Sequence, residues 1–516
     1  MLGGMTALDQ EPRMLEERPP LPLWWRAAVW AVSAAWVVLQ IPFAYGLQPY
    51  IYFDSGWALS TDELLSEGLI PTQDFAYFYG LLVLVVDRAW FALFGATPAA
   101  QAGLSLLCTA ASTHAVIRFA RAMRLGRAGR SLLLAASPLA IMPSFFPTPA
   151  HALEHALLIN AIASQAAGRR AGALVLATTA LFVKPTMAAI YGPILIVIIL
   201  CGPRPTPSVR LSRLRDLAPA TVALVAIAGL LAARFGIEPL IATLIPLDGM
   251  RLYAAHDYGF FFGAGRHFWL PEPLTWWYYP FMPAGFWLIG TAILAIGAAT
   301  VARRGHGPNA GVTLTCIALH FAFIFFLFGN DMSWKYYPYL LVFGLCGIVD
   351  GSGTGAKRPL AVGLAIAAIM GQSRFALVCL AMMLQAALSP TPVRSPATAG
   401  LLASVEDQRS WGHVRQVAAT QRVMLLSPVG AGHILMPEVD SPRAWFLLHP
   451  IAKPAEVASV NGQIHAADWL VIPTGPGERL DNWPEFGEAL GCFRIVEIHP
   501  TFVLAKRFKP PPSSQH

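Results

Sequence analysis

The chain has 516 residues, 56% of them hydrophobic and only 13% charged, with a formal net charge of +7. Soluble domains carry about 25% charged residues, so this composition argues against a water-soluble fold of such length. The six cysteines (Cys108, Cys201, Cys316, Cys346, Cys379 and Cys492) show no ligand-like spacing, and neither a disulfide framework nor a zinc cluster is indicated.

A polar tail, 1–23, precedes the first apolar run, which has no small-residue cleavage site and reads as a retained signal anchor. Apolar runs of about 17 to 25 residues then recur as far as Leu388, each long enough to cross a hydrocarbon core. Basic residues gather at Arg118 to Arg130, Arg169–Arg170, Arg204 to Arg215, Arg303–Arg304 and Lys357–Arg358. By the positive-inside rule these connections face the cytoplasm. Acidic residues gather instead in 47–76 and 236–276, which then face outward.

The run 77–95 carries Asp87–Arg88 near its middle, where each charge costs about 2.5–3.5 kcal/mol at the bilayer centre. It is therefore expected as an outer-surface helix. The run 171–200 is broken by Lys184–Pro185, and proline disfavours helix in the residue before it. Two short helices meeting at an outward turn are expected there, with Lys184 at the outer face. About eleven crossings result: 24–46, 98–119, 131–147, 152–168, 171–183, 187–200, 217–235, 277–301, 311–329, 334–350 and 359–387.

From about Pro390 the composition becomes mixed. Short β-rich runs appear at Val423 to Leu426, Trp445 to Leu448, Trp469 to Ile472, Phe493 to Ile498 and Phe502 to Ala505, with Pro500 as a hairpin turn. Stretches 401–419 and 478–490 are helix-compatible. The fold class expected is thus an α-helical polytopic membrane protein with a small C-terminal α/β soluble domain. It divides into a cytoplasmic tail (1–23), a membrane domain (24–388) with outer loops 47–97 and 236–276, and a periplasmic domain (389–516). The runs SPVGAG and TGPG complete no phosphate-binding pattern, and no nucleic-acid partner is expected.

The first outer loop reads YFDSGWALSTDELLSEGLIPTQDFAYFYG from Tyr52 to Gly80. Asp54 lies just beyond the first helix, and 57–67 places Trp57, Leu59, Leu64 and Leu65 among acids, as in a helix lying in the membrane interface. The order Asp-x-Gly, interfacial helix, Gly-Leu-Ile-Pro-x-x-Asp-Phe and an aromatic-rich helix ending Leu-Phe-Gly resembles the GT-C superfamily of polyprenyl-phosphate-dependent glycosyltransferases. Within it the likeness is to bacterial relatives of protein mannosyltransferases and aminoarabinose transferases.

That resemblance implies Asp54 as the general base or acceptor-positioning carboxylate and Asp74 as a second acid. A sugar hydroxyl is a poor nucleophile until its proton is taken, which is the physical need for such a group. Ser55 stands where the family often has a second acid beside the first, so no adjacent acidic pair is available to a metal. No cofactor is identified, and a divalent cation stays an open alternative.

Lys184, in LFVKPTM, resembles the family's Lys-Pro segment, in which a lysine faces the phosphate of the lipid-linked donor. Independently, an intramembrane cation is costly and needs a partner, and a departing phosphate accumulates the matching charge. The bland alternative is a lysine snorkelling to the interface. SWKYYPY, Ser333 to Tyr339, resembles an aromatic-basic signature of the family. Lys335 is there a second phosphate contact, and Tyr336 with its neighbours is an aromatic surface for sugar or prenyl chain. An ordinary aromatic belt reads the same way. Arg266 is the candidate from the outer loop 236–276.

HALEH, His151 to His155, formally matches a zinc-protease motif. It opens a membrane helix, however, and the favoured reading places His151 and Glu154 at the outer mouth of the bundle beside the first-loop acids. The function expected is transfer of a sugar from a polyprenyl-phosphate donor to an envelope glycan, lipid or protein acceptor, on the periplasmic side of a bacterial inner membrane. The alternatives are a transporter or flippase for a lipid-linked or small solute, for which broken helices are also typical, and a catalytically silent assembly partner with a transferase-like fold.

Overall fold

In the computed structural model the described residues are 20–46, 56–145, 148–201, 207–245, 284–304, 308–322, 337–351, 357–372, 393–394, 401–426, 432–442, 454–474 and 486–508. A helix lies over each run expected to cross. These are α1 (Leu23–Ala44), α4 (Pro98–Ala122), α5 (Arg127–Ile141), α6 (Pro149–Ala166), α7 (Arg170–Val183), α8 (Pro185–Cys201), α9 (Pro207–Phe235), α11 (Ala284–Arg304), α12 (Pro308–Ala322), α13 (Pro338–Gly351) and α14 (Lys357–Gln372). Between α1 and α4 come α2 (Trp57–Ser66) and α3 (Leu81–Phe94), while α10 (Ile237–Leu244) follows α9.

Local chemistry sets these boundaries. Thr97 caps α4 by accepting from the Ala100 amide at 3.1 Å, with Pro98 in the first turn, where its missing N–H costs nothing. Lys184 stands between α7 and α8 with φ −157° and ψ 109°, the extended geometry that a following proline imposes. The break expected from Lys184–Pro185 is thus present in the backbone.

The main apolar core runs through α4 to α8, α12 and α13, where Phe119 and Phe343 stack at 3.8 Å between ring centroids. Outside it the surface is itself apolar. The segment Arg215–Phe235 contains a stretch of mean hydropathy 1.9 and leaves Val222, Val225 and Leu230 exposed, while Leu231 and Phe235 pack into an apolar core. One side of this helix therefore packs on protein, and the other presents an exposed apolar face. By length and apolarity together, two of the described helical segments qualify as candidate spans, Leu23–Ile41 and Arg215–Phe235, and several shorter helices are also apolar.

Two expectations are modified. α2 forms where the interfacial helix was expected, but protein rather than lipid covers its apolar side: Ala58 and Leu59 share a core with Trp411, Val423, Val471 and Phe502 of the C-terminal region. α3 forms where the outer-surface helix was expected, and its two charges part company. Arg88 reaches Asp62 of α2 at 3.1 Å, whereas Asp87 is 4% exposed, and its Oδ1 has no hydrogen-bond partner among the described residues.

Burial, with like charge from Asp62, holds the Asp87 carboxyl well above the ordinary aspartate range. The folded protein then keeps a proton that the unfolded chain releases, so this group favours folding at low pH and progressively less as pH rises. Asp87→Asn is expected to raise the thermal midpoint near neutral pH, with the gain shrinking as pH falls toward about 4. Equal midpoints for the two proteins at neutral pH would contradict this.

The C-terminal region holds α15 (Val405–Ala418), α16 (Pro454–Ala466) and a four-stranded sheet of β1 (Val423–Leu425), β2 (Trp469–Pro473), β3 (Phe493–Ile498) and β4 (Phe502–Arg507), in the order β1-β2-β4-β3. β1 and β2 are parallel and the other pairs antiparallel, so β3 and β4 form the hairpin expected around Pro500. The expected strand Trp445 to Leu448 lies outside the described residues, as does most of the helix-compatible stretch 478–490; Gly487–Leu490 is helical. α16 was not expected from the sequence.

Candidate functional site

Four helix ends and one irregular segment meet at a buried polar cluster. α6 begins at Pro149 and brings His151 and Glu154 to the same end of the bundle as the α7–α8 break, while Tyr337 immediately precedes α13. The irregular segment 76–80 passes the break, and the Gly80 amide donates to the Val183 carbonyl at 2.9 Å. Lys184, 5% exposed, is therefore enclosed by protein instead of snorkelling to the surface.

Lys184 Nζ lies 3.0 Å from His151 Nδ1 and 3.8 Å from Glu154 Oε2. His151 Nε2 is 3.0 Å from the Tyr79 hydroxyl, and the two rings meet edge to face. When the ammonium donates to Nδ1, the imidazole must carry its proton on Nε2, which then donates to Tyr79. The Tyr337 hydroxyl lies 2.8 Å from both Glu154 oxygens, and a Met187 amide at the start of α8 adds a backbone hydrogen bond to that carboxylate. The cation and its counter-charge are thus both buried. Glu154 neutralises Lys184 from beyond hydrogen-bond distance, while its own oxygens are occupied by Tyr337 and Met187.

Aromatic rings wall one side of this cluster. Trp57 of α2 stacks on Tyr77 at 5.2 Å and 14° and meets Tyr79 edge-on at 5.2 Å. Lys184 Nζ also stands 5.9 Å from the Tyr79 ring centre, within cation–π range. Gly80 is required by the tight passage: a Cβ there would stand 2.0 Å from the Phe182 carbonyl oxygen.

Of the residues singled out from the sequence, His151, Glu154 and Lys184 are brought together. Asp74 is not in this cluster: it lies in an exposed turn, where its carboxylate accepts from the Ile70 amide at 2.6 Å and its own amide donates to the Ile70 carbonyl. Asp54, Arg266, Lys335 and Tyr336 lie outside the described residues. Among the described residues no group of three or more His, Cys, Asp or Glu side chains is placed to hold a metal ion.

Two members escaped the sequence reading. Tyr79 belongs to FAYFYG, in which four of the five residues from Phe75 to Tyr79 are aromatic; that density was the available signal. Tyr337 was noted only as aromatic surface, and its carboxylate partner is 183 residues away.

No family model matches the sequence, and no curated protein matches it. Among solved structures, the chain is similar to ArnT from Cupriavidus metallidurans bound to undecaprenyl phosphate, with 13% identity over 94% of this chain and 98% of that one, at a TM-score of 0.49. It is also similar to the Archaeoglobus fulgidus oligosaccharyltransferase in complex with Zn and sulfate, with 11% identity over 86% of this chain and 67% of that one, at a TM-score of 0.39.

Proposed function

We propose that this chain is a GT-C glycosyltransferase that moves a sugar from a polyprenyl-phosphate donor to an acceptor on the outer side of the membrane. The observation that carries the reading is the buried Lys184 at a helix break, 3.0 Å from His151 and 3.8 Å from Glu154. A buried cation is expensive to maintain, and a phosphate leaving group is the ligand that best repays it. As the glycosidic bond breaks, negative charge builds on the phosphate, and a preorganised ammonium in a water-poor site stabilises that charge.

In this proposal the lipid phosphate competes with Glu154 for the ammonium, and His151, held by Tyr79, keeps the amine aimed. Asp54 takes the acceptor's proton, with Asp74 as a second acid near the acceptor. Lys335 and Tyr336 add phosphate and aromatic contacts, and Arg266 contributes from the outer loop. The basic connections support about eleven crossings, a cytoplasmic N-terminus and a periplasmic C-terminal domain. The α7–α8 break equally suits a transporter of a lipid-linked or small solute.

The experiment is transfer by the purified protein in lipid nanodiscs, with a panel of polyprenyl-phosphate sugars and envelope acceptors, comparing wild type with Asp54→Asn. Removing a catalytic base is expected to lower turnover about 10²- to 10⁴-fold while donor binding persists. Equal turnover in both removes Asp54 from the mechanism. Absence of turnover with every donor, alongside lipid or solute translocation, favours the transporter.

A further inference from the structure

Among the described residues, two polar contacts between the C-terminal region and the membrane domain lead to Tyr79. The first is Glu456 of α16, 8% exposed, whose Oε1 accepts from the Ala76 amide at 3.2 Å across 380 residues of sequence. Ala76 opens the segment that ends at Gly80, and Gly80 is fixed to the Val183 carbonyl next to Lys184. The five-residue strap is therefore pinned at one end by the C-terminal region and at the other by the end of α7. Tyr79 lies between the two pins and holds His151 Nε2, whose Nδ1 faces Lys184 Nζ.

The second contact is His433 Nε2, which meets Glu63 Oε2 of α2 at 2.5 Å. α2 also carries Trp57, whose ring packs on Tyr79 and Tyr77. Thus the C-terminal region grips Tyr79 through its backbone strap and through the ring against it. Ala58 and Leu59 of α2 belong to the same apolar core as Trp411, Val423 and Phe502 of that region and add an apolar seal to the polar pair.

We infer that Glu456, backed by His433, is a positioning residue: by pinning the Ala76–Gly80 strap it holds the Tyr79–His151–Lys184 chain in register, making the C-terminal region part of the lipid-phosphate site. The inference rests on the reading of Lys184 as a phosphate ligand, which gives the register its use. A buried carboxylate accepting a backbone amide is a strong and directional tie, and its loss leaves that amide unsatisfied.

The test uses the full chain in nanodiscs and two readouts, hydrogen exchange of the 70–80 segment and binding of undecaprenyl phosphate. Glu456→Leu is expected to speed exchange at Ala76 about tenfold and to weaken undecaprenyl phosphate binding by about tenfold. Glu456→Gln keeps an acceptor oxygen and is expected to restore both. Unchanged exchange in Glu456→Leu overturns the latch. Faster exchange with unaltered lipid-phosphate affinity overturns its coupling to the site.

If wild type does not bind undecaprenyl phosphate, the reading of Lys184 fails and the coupling with it, while the exchange result still decides whether the strap is latched. If Glu456→Leu does not fold, His433→Leu makes the same comparison through the Trp57 segment: faster exchange in 57–66 with weaker lipid-phosphate binding supports the inference, and no change in either overturns it.

Discussion

Lys184→Met is expected to abolish measurable transfer, lowering turnover about 10²- to 10³-fold, the usual loss when one preorganised stabiliser of developing charge is removed. The same substitution leaves Glu154 buried without its cation, and such a lone charge typically costs about 3–5 kcal/mol of stability. Inactivity of the single variant therefore does not separate lost chemistry from unfolding. The double variant Lys184→Met/Glu154→Gln separates the two effects. It removes both charges, and the amide oxygen can still accept from Tyr337, so stability should largely return while transfer does not.

Lys184→Arg should not rescue turnover, because a planar guanidinium cannot reproduce a compact ammonium enclosed by His151, Glu154 and Tyr79. Thermal unfolding in nanodiscs and transfer assays on these variants provide the check. A double variant that is both stable and fully active would reduce the lysine to a structural counter-charge.

Gly80→Ala is expected to cost about 3 kcal/mol or more, at the upper end for adding one methyl group to a packed interior. The added Cβ would stand 2.0 Å from the Phe182 carbonyl oxygen and 2.9 Å from the Val183 carbonyl carbon, both backbone atoms that no rotamer change can move. The strap must retreat from the end of α7, giving up the Gly80–Val183 hydrogen bond and drawing Tyr79 from His151. Loss of folded protein in size-exclusion and thermal assays is the expected outcome. A variant as stable as wild type would mean that the strap does not run against the helix end at Lys184.

The two variants approach one site from opposite sides. Lys184 tests the charge, and Gly80 tests the close backbone approach that delivers Tyr79 to it. Their stability losses should not be additive, because both sites share the α7 end and the Tyr79–His151 contact.

The helices were legible in the sequence because each rests on local signals: apolar length, the basic connections between runs, and the Lys184–Pro185 break. His151, Glu154 and Lys184 were legible one at a time for a related reason, since polar groups in apolar helices are costly and stand out. In the C-terminal region the β3–β4 hairpin was marked by Pro500 between two β-rich runs, whereas α16, with small and polar residues in PAEVASVNGQIHA, offered no comparable periodic signal.

By itself, then, the sequence determined a chain of helices too apolar for water, the break at Lys184, and a small α/β region at the end, all properties set by neighbours along the chain. Only the tertiary structure decided that Lys184 is enclosed, that Tyr337 serves Glu154 from 183 residues away, that Asp87 is buried while Arg88 escapes to Asp62, and that Glu456 pins Ala76 across 380 residues. Those pairings depend on which helix ends the packed core brings together. No local pattern encodes that choice, because the energy of each contact exists only once the intervening chain has folded around it.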